Sequence, residues 1–288
     1  MKKVLIFGAG GMAGHVLKNY LKDTGRYELY STYNTQSTGP GDYQVNIVDT
    51  KKVQELLNTI KPDIIVNCIG TLIKNSIEFP DKAIFTNAYF PHFLAGLVKK
   101  SGAKIIHIST DCVFSGKRGK YEETDAKDAN DLYGSSKALG ELTDSQNLTI
   151  RTSIIGPELK TNGEGLFHWF MLQKGNISGY TNVWWSGVTT LELAKFIDYI
   201  IDKPTYGLMH FTNGTPINKF QLLSLFAKNF GRNDVEIHEN GNKHSDKSLV
   251  PSMKAIEYKV PSYDDMLSQM HAFMEKNKGI YKLYAHNL

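Results

Sequence analysis

The chain has 288 residues, of which 41% are hydrophobic and 22% charged, and its formal net charge is +4. This composition is typical of a folded globular protein, and the length allows one large or two modest domains. No apolar stretch approaches the roughly 18 residues of a membrane-spanning helix, so we expect no membrane contact. The charge is mild, and the basic cluster at 117–120 indicates a solvated loop, so we expect no nucleic-acid partner.

The cysteines indicate the cellular compartment, and the histidines bear on whether the protein binds a metal. Cys68 and Cys112 each lie near the carboxyl end of a predicted strand, which fits a reduced cytoplasmic protein better than a disulfide scaffold. The 9 histidines are scattered without metal-ligand spacing. We therefore predict a cytoplasmic location and no bound metal.

Short apolar runs alternate with helical patterns through the first half of the chain. A helix is predicted over 51–59, after the capping residue Asp49. The alternation predicts an α/β fold with a Rossmann-like, doubly wound parallel sheet. The predicted strands are residues 3–7, 27–33, 64–68, 105–108 and 149–152.

The pattern changes after Gly156-Pro157, where aromatic residues become frequent. We predict a dinucleotide-binding domain at 1–155, to which 183–212 return. Residues 156–182 and 213–288 would form a smaller C-terminal substrate-binding lobe that is interleaved with it.

A glycine-rich turn follows the first predicted strand. Gly8, Gly10, Gly11 and Met12 lead directly into a helical pattern that contains Gly14. Glycines in this context allow a tight turn, close approach of the backbone to a pyrophosphate and close helix–strand packing. The unpaired N–H groups of the helix amino terminus then favour the anion. The turn therefore predicts dinucleotide binding.

The end of the second predicted strand bears on the choice of cofactor. An NAD-selective site usually has an acidic residue there, which binds the ribose 2′-hydroxyl. This chain instead reads Ser31-Thr32-Tyr33-Asn34, whose hydroxyl and amide groups could bind a 2′-phosphate. The absence of an acid favours NADPH, with NADH as the alternative.

Three residues supply the groups that reduction of a carbonyl requires. Thr110 follows the fourth predicted strand, and Tyr133 and Lys137 are spaced to share one face of a helix. We expect the lysine cation to lower the pKa of the phenol, which is about 10 in water. The same spacing at Tyr199 and Lys203 runs into a proline and has no Ser-Thr-Asp segment upstream, so we interpret it as an ordinary helix end.

With these motifs, the chain resembles the extended short-chain dehydrogenase/reductase family, and within it the branch of dTDP-4-dehydrorhamnose reductase. The Ser109-Thr110-Asp111 segment, followed by Val113-Phe114, and the Tyr133-Gly134-x-x-Lys137 segment are quite specific for this branch. The matching stretches are residues 8–14, 61–67, 108–116, 122–125, 132–141 and 150–153.

The resemblance implies a role for further residues. Thr110, Tyr133 and Lys137 would be catalytic, and Tyr133 and Lys137 would also contact the cofactor. Other residues implied for the cofactor are Asn34, Asn46, Ile47, Ile69, Gly70 and Asn87. Those implied for the substrate are Thr110, Asp111, Ile154, Trp184 and Trp185.

The chain departs from the family pattern mainly on the substrate side. Cys112 replaces a tyrosine, Asn46 replaces an aspartate, and Ile154 replaces a tryptophan that helps to hold the sugar. Residues 182–190 replace another family segment. These departures leave the identity of the sugar open, but they do not change the expected type of reaction.

The resemblance implies NAD(P)H-dependent reduction of the C4 ketone of a nucleotide-linked 4-keto-6-deoxyhexose, for cell-surface polysaccharide synthesis. The nucleotide-sugar would be the partner, and a homodimer is possible. Three alternatives remain open. They are a reductase of a UDP-linked N-acetylated amino sugar, a nucleotide-sugar epimerase or dehydratase, and a non-catalytic NADP-binding regulatory subunit.

Overall fold

The computed structural model describes residues 1–35, 39–251 and 256–287. The strands, in chain order, are β1 (Lys2–Phe7), β2 (Tyr27–Tyr33), β3 (Asp42–Gln44), β4 (Ile64–Asn67), β5 (Lys104–Thr110), β6 (Leu148–Thr152), β7 (Ile154–Ile155), β8 (Gly175–Tyr180), β9 (Val183–Trp185), β10 (Val188–Thr189), β11 (Gly207–His210), β12 (Ile217–Asn218), β13 (Val235–Asn240) and β14 (Ser245–Asp246).

The α-helices alternate with the strands of the first half, and further helices lie among the shorter strands of the second half. They are α1 (Met12–Thr24), α2 (Thr50–Ile60), α3 (Ile73–Glu78), α4 (Pro80–Ala83), α5 (Phe90–Val98), α6 (Leu132–Leu139), α7 (Leu166–Met171), α8 (Thr190–Ile200), α9 (Lys219–Asn229) and α10 (Tyr263–Lys276). A π-helical segment at Ile84–Tyr89 joins α4 to α5, and a 3₁₀ turn at Asp111–Val113 follows β5.

The main sheet has seven strands in the order β11-β6-β5-β4-β1-β2-β3, and every pairing is parallel. This arrangement confirms the predicted Rossmann-like sheet and all five predicted strands. The predicted helix is also present as α2, and the side chain of Asp49 accepts a hydrogen bond from Lys52 N at 3.2 Å.

The two faces of the sheet are buried in different apolar clusters. In β1, Val4 and Ile6 pack on the side of α1 and α8, whereas Leu5 and Phe7 pack on the side of α2 and α5. A continuous apolar strand with both faces covered is the expected pattern for a central parallel strand. The carboxyl ends of β1, β4 and β5 therefore meet at one open edge.

The second half of the chain adds small sheets beyond that edge. β9 lies between β12 and β14, β8 pairs with β13, and β7 pairs with β10. β11 pairs with β6 in the main sheet, and α8 packs against α1. The proposed division into 1–155 with 183–212, against 156–182 with 213–288, stays a prediction.

Within the described residues, no helix combines the length and the apolar character that crossing a membrane requires.

Candidate active site

The turn between β1 and α1 requires glycine at two positions. Gly8 has a φ of 84°, a left-handed conformation that side chains other than glycine rarely adopt. A Cβ on Gly14 would lie 2.2 Å from the Gly8 carbonyl oxygen, so the helix can approach the strand only without a side chain there. Gly11 caps α1 without any side-chain hydrogen bond, which leaves N–H groups of the first turn available. This turn fits a pyrophosphate, because the backbone is open where a Cβ would otherwise intrude.

The residues next to this turn are held by contacts with neighbouring loops. A Cβ on Gly10 would lie 3.3 Å from Cδ1 of Tyr33, so the tyrosine ring lines the turn. Met12, the first residue of α1, reaches toward Gly165, where an added Cβ would lie 2.8 Å from Met12 Cε. Asn34 is exposed at the end of β2.

Lys18 was not predicted as a residue of the site. It lies behind the glycine turn between β1 and α1. Its ammonium donates to the Tyr33 hydroxyl at 2.9 Å and to Asp42 Oδ1 at 2.6 Å. Asp42 lies on β3 and pairs in register with Ser31 of β2. The sequence offered no local signal for this contact because the residues that follow β2 had no recognisable strand pattern.

The residues that the family resemblance implies for the adenine and nicotinamide ends of the cofactor follow β3 and β4. Asn46 is exposed and its Oδ1 accepts from Val48 N at 3.1 Å, while Ile47 packs against the apolar cluster on that side of the sheet. Ile69 lies against Gly8, since a Cβ there would be 2.8 Å from Ile69 Cγ1. Gly70 follows, exposed, at the carboxyl edge.

Asn87 is fully buried in the π-helical segment and links two parts of the site. Its Oδ1 accepts from Thr71 N at 2.8 Å, and its Nδ2 donates to Thr71 O at 3.0 Å and to Ser136 Oγ at 3.1 Å. The loop after β4 is thereby tied to α6 next to Lys137. A π-helical turn is uncommon and is frequent at functional sites.

The structure brings Thr110, Tyr133 and Lys137 together. Thr110 ends β5, and the other two residues lie on α6, whose first turn is capped by Asp131 accepting from Gly134 N at 2.8 Å. The Thr110 hydroxyl lies close enough to the Tyr133 phenol to influence its pKa. A Cβ on Gly134 would lie 2.2 Å from the Cys112 carbonyl oxygen, so this glycine allows the helix to lie directly on the turn after Thr110.

Burial controls the ionisation of the two titratable members of this group. Lys137 Nζ donates to Ile108 O at 2.7 Å, and burial lowers the pKa of Lys137 to about 8 against the opposing charge of Glu141. Burial raises the pKa of the Tyr133 phenol, and the neighbouring Thr110 hydroxyl acts in the opposite direction. Our expectation that the pKa of Tyr133 is lowered is wrong, because loss of hydration raises it and the Lys137 ammonium is bound to the Ile108 carbonyl.

The residues implied for the substrate differ in their exposure. Asp111 is buried and its Oδ1 accepts from Thr110 Oγ1 at 3.1 Å. Ile154 pairs with Val188 in a small sheet. Trp184 is 37% exposed, whereas Trp185 is 4% exposed and its Nε1 donates to Ser153 Oγ at 2.7 Å. Trp184 has surface to offer a ligand, and the ring of Trp185 is largely used in packing.

No group of three or more histidine, cysteine, aspartate or glutamate residues that could hold a metal ion occurs in the described ranges.

A family model described as the RmlD substrate binding domain matches residues 1–247. The chain belongs to this family. It is 27% identical to the spore coat polysaccharide biosynthesis protein SpsK of Bacillus subtilis over 265 residues, which cover 90% of each chain.

Two further comparisons involve dTDP-4-dehydrorhamnose reductases. The chain is 34% identical to that of Aggregatibacter actinomycetemcomitans over 160 residues, and it matches only 51% of that enzyme's length. The crystal structure of the Bacillus anthracis enzyme in complex with NADP superposes with a TM-score of 0.80 and 23% identity, over 95% of this chain and 99% of that one. At this identity, the structural likeness shows the shared RmlD fold.

A buried ionic network supports β5, the strand that carries Thr110, in this RmlD-family chain and was also not predicted. Glu141 accepts from Ser109 Oγ at 2.8 Å and forms a two-point ion pair with Arg151, at 2.9 and 2.8 Å. Lys127 approaches the same carboxylate at 3.1 Å, and Arg151 reaches His210 at 2.8 Å. The network ties β5, β6 and β11 together directly behind Thr110. Its only trace in the sequence is a set of charged residues at the end of one helix and within one strand.

Two lysines near Asp111 were missed as well. Lys219 and Lys247 come from the second half of the chain; both act to lower the pKa of Asp111, and Lys247 also acts to lower the pKa of Cys112. No local motif marks either residue, because the contact depends on how distant segments pack.

Proposed function

We propose that the protein reduces the C4 ketone of a nucleotide-linked 4-keto-6-deoxyhexose, with NADPH preferred over NADH, for polysaccharide synthesis. The observation that carries the proposal is the placement of Thr110 and Tyr133 next to each other, with buried Lys137 on the same helix as Tyr133, at the edge where the glycine turn also opens. Ligands bind at this edge of open parallel sheets.

The residues around the glycine turn suit a dinucleotide. Gly8, Gly10, Gly11 and Met12 would hold its pyrophosphate at the amino terminus of α1. The adenosine end would lie against Asn34, Asn46 and Ile47, and the nicotinamide end against Ile69, Gly70, Asn87, Tyr133 and Lys137. When bound, NADPH supplies the hydride.

Tyr133 would act as the proton donor to the ketone oxygen. A phenol whose pKa is raised by burial stays protonated at neutral pH and can hydrogen-bond the oxygen before reaction. Thr110 would donate its hydroxyl to the same oxygen and hold it in place. Lys137 would stabilise the phenolate that is left after proton transfer, since its ammonium is buried on the same face of α6.

The substrate side would be formed by Asp111, Ile154, Trp184 and Trp185. The nucleotide and the exact sugar are not specified by these side chains, and a UDP-linked N-acetylated amino sugar is the main alternative. Retention of the whole catalytic trio favours an enzyme over a regulatory subunit, because binding alone needs no proton donor.

The test follows NADPH absorbance with purified protein and two 4-keto sugars, one dTDP-linked and one UDP-linked with an acetamido group. Oxidation with either sugar supports the proposal and selects the nucleotide. NADPH binding without oxidation of either substrate would contradict it. Oxidised cofactor that co-purifies with the protein would instead favour the epimerase or dehydratase alternative.

We also propose that the protein works in the cytoplasm as a homodimer. Its cysteines are free thiols, as expected in a reducing compartment.

Exposed apolar side chains occur on α3, the π-helical segment and α6, which pack against one another: Ile73, Ile77, Ile84, Tyr89 and Leu139. Light scattering during gel filtration gives the mass in solution, and a monomer at working concentration would contradict the dimer.

A further inference from the structure

Two lysines from the second half of the chain lie beside the turn that follows Thr110. Lys219 comes directly after β12, and Lys247 comes directly after β14. β12 and β14 flank β9, and the residues before the two lysines, Asn218 and Asp246, both pair with Trp184. The small sheet therefore places one lysine on each side of the strand that carries Trp184. We call Lys219 and Lys247 the lysine pair.

Backbone contacts fix the position of Lys247. Asp246 N donates to Gly116 O at 2.7 Å, and Tyr121 N donates to Ser248 O at 2.8 Å, so the chain on both sides of Lys247 is attached to the loop after β5. A Cβ on Gly116 would lie 2.9 Å from Lys247 Cγ, which shows how closely the lysine stem packs there. The Lys247 ammonium lies near Asp111 and the Cys112 thiol, and both act to raise its pKa.

Lys219 approaches the same region from the other side. Its Nζ lies 5.2 Å from the centroid of the Trp185 ring, a distance typical of a cation–π contact. Burial lowers the pKa of Lys219 to about 8, and the opposing influence comes from Asp111 and Cys112. Both members of the lysine pair are half-buried, and both act to lower the pKa of Asp111 against the effect of burial.

The lysine pair is not neutralised by the residues around it. Within the described ranges, neither ammonium forms an ion pair at 4.0 Å or less. Burial raises the pKa of the Cys112 thiol to about 12, so the thiol is uncharged at neutral pH. Asp111 offers one carboxylate to two cations, and burial raises its pKa as well. Two partly buried cations that share a single carboxylate are costly, and incompletely compensated charges of this kind are common at functional sites.

We propose that Lys219 and Lys247 bind an anionic group of the substrate, a phosphate or a carboxylate, beside the carbonyl that Tyr133 protonates. The inference rests on the proposed function for its location, because Asp111 and Cys112 directly follow Thr110. The site is distinct from the cofactor pyrophosphate site at the amino terminus of α1. The anion has two possible sources, the diphosphate of the nucleotide or a carboxylate on the sugar.

The experiment measures binding by calorimetry, without turnover. The probes are dTDP, UDP, glucuronate and NADPH, and the proteins are wild type, Lys219→Met, Lys247→Met and the double variant. Lys243→Met is the matched control, because Lys243 is exposed on the segment that precedes Lys247. Removal of a charge-assisted contact typically weakens binding by about tenfold or more.

A loss of about tenfold for dTDP or UDP in either lysine variant, with NADPH and the Lys243→Met control unchanged, supports the proposal and identifies a diphosphate. The same loss for glucuronate alone supports the anion site and identifies a carboxylate, and it would replace the 6-deoxyhexose of the proposed function by a sugar acid. The affected binding should also weaken with added salt. Equal affinities for every anion in all variants would overturn the proposal. Anion binding without reduction of any 4-keto sugar would overturn the reductase function and leave the anion site standing.

Discussion

Lys137 Nζ donates a 2.7 Å hydrogen bond to the carbonyl of Ile108, two residues before Thr110 on the same strand. The bond holds the lysine of α6 against the end of β5, so the helix and the strand that carry the reactive groups cannot shift independently. The lysine is thereby positioned as part of the sheet edge and is not a mobile surface cation.

The ionisation of Lys137 predicts a loss of turnover in alkaline solution. Its pKa is lowered to about 8 by burial, so the cation is present below pH 8 and is lost as the pH rises through that value. Because the cation stabilises the Tyr133 phenolate, kcat should fall along a single limb centred near pH 8. Rates measured from acid to alkaline pH check this, and Lys137→Met should be slow at every pH and lack the limb.

Lys219 also has a pKa near 8 and must be separated from Lys137. We place Lys219 in substrate binding, so Lys219→Met should raise KM and keep the alkaline limb in kcat. A kcat that is constant through pH 9 in the wild type would contradict the role of Lys137.

Gly14→Ala tests the close approach of α1 to β1. The added methyl group would lie 2.2 Å from the Gly8 carbonyl oxygen, so the helix must shift. We expect a loss of about 1–3 kcal/mol of unfolding free energy and weaker NADPH binding. Gly96→Ala is the control, because Gly96 lies within α5 with nothing within 4 Å of the added Cβ, and it should stabilise by about 0.5–1 kcal/mol. Chemical denaturation and NADPH titration measure both effects, and equal results for the two variants would refute the packing argument.

Glu141→Gln tests the ionic network behind Thr110. Its carboxylate is fully buried and paired with Arg151, so neutralising it leaves a buried guanidinium without its counter-charge. The expected loss is about 3–5 kcal/mol of unfolding free energy. Asp23→Asn, which breaks the exposed pair with Lys276, should cost about 1 kcal/mol or less. Similar losses for the two variants would show that the buried network contributes no special stability.

Asn34→Asp tests the basis of cofactor choice. Asn34 is exposed at the end of β2, where a carboxylate would repel the 2′-phosphate of NADPH and could bind the ribose hydroxyls of NADH. We expect NADPH affinity to fall by about tenfold or more, with NADH affinity retained or improved. Fluorescence titration of both cofactors measures the ratio, and an unchanged ratio would place the 2′ position elsewhere.

The sequence predicts the parts of the molecule that depend on local pattern. The strand at Lys2–Phe7, the glycine turn and the Tyr133–Lys137 helix face each follow from short-range spacing and are present. β3 was not predicted because three residues beside β2 carry little pattern. The lysine pair and the ionic network depend on segments far apart in the chain, which no local spacing reveals.

The expected pKa of Tyr133 was wrong for a related reason. The spacing to Lys137 indicates proximity, but it does not show how much hydration the phenol loses or that the ammonium binds Ile108 O. These depend on the packing of α6 on the turn after β5.

The most direct test of the central claim compares Tyr133→Phe with the wild type in single-turnover reduction of a nucleotide-linked 4-keto sugar by NADPH. Removal of the phenolic hydroxyl takes away the proton donor while the ring and the cofactor contacts remain. We predict that the rate falls by about 10²–10⁴-fold and that NADPH affinity is nearly unchanged. Turnover by Tyr133→Phe at a rate close to that of the wild type would contradict the assignment of Tyr133 as the proton donor.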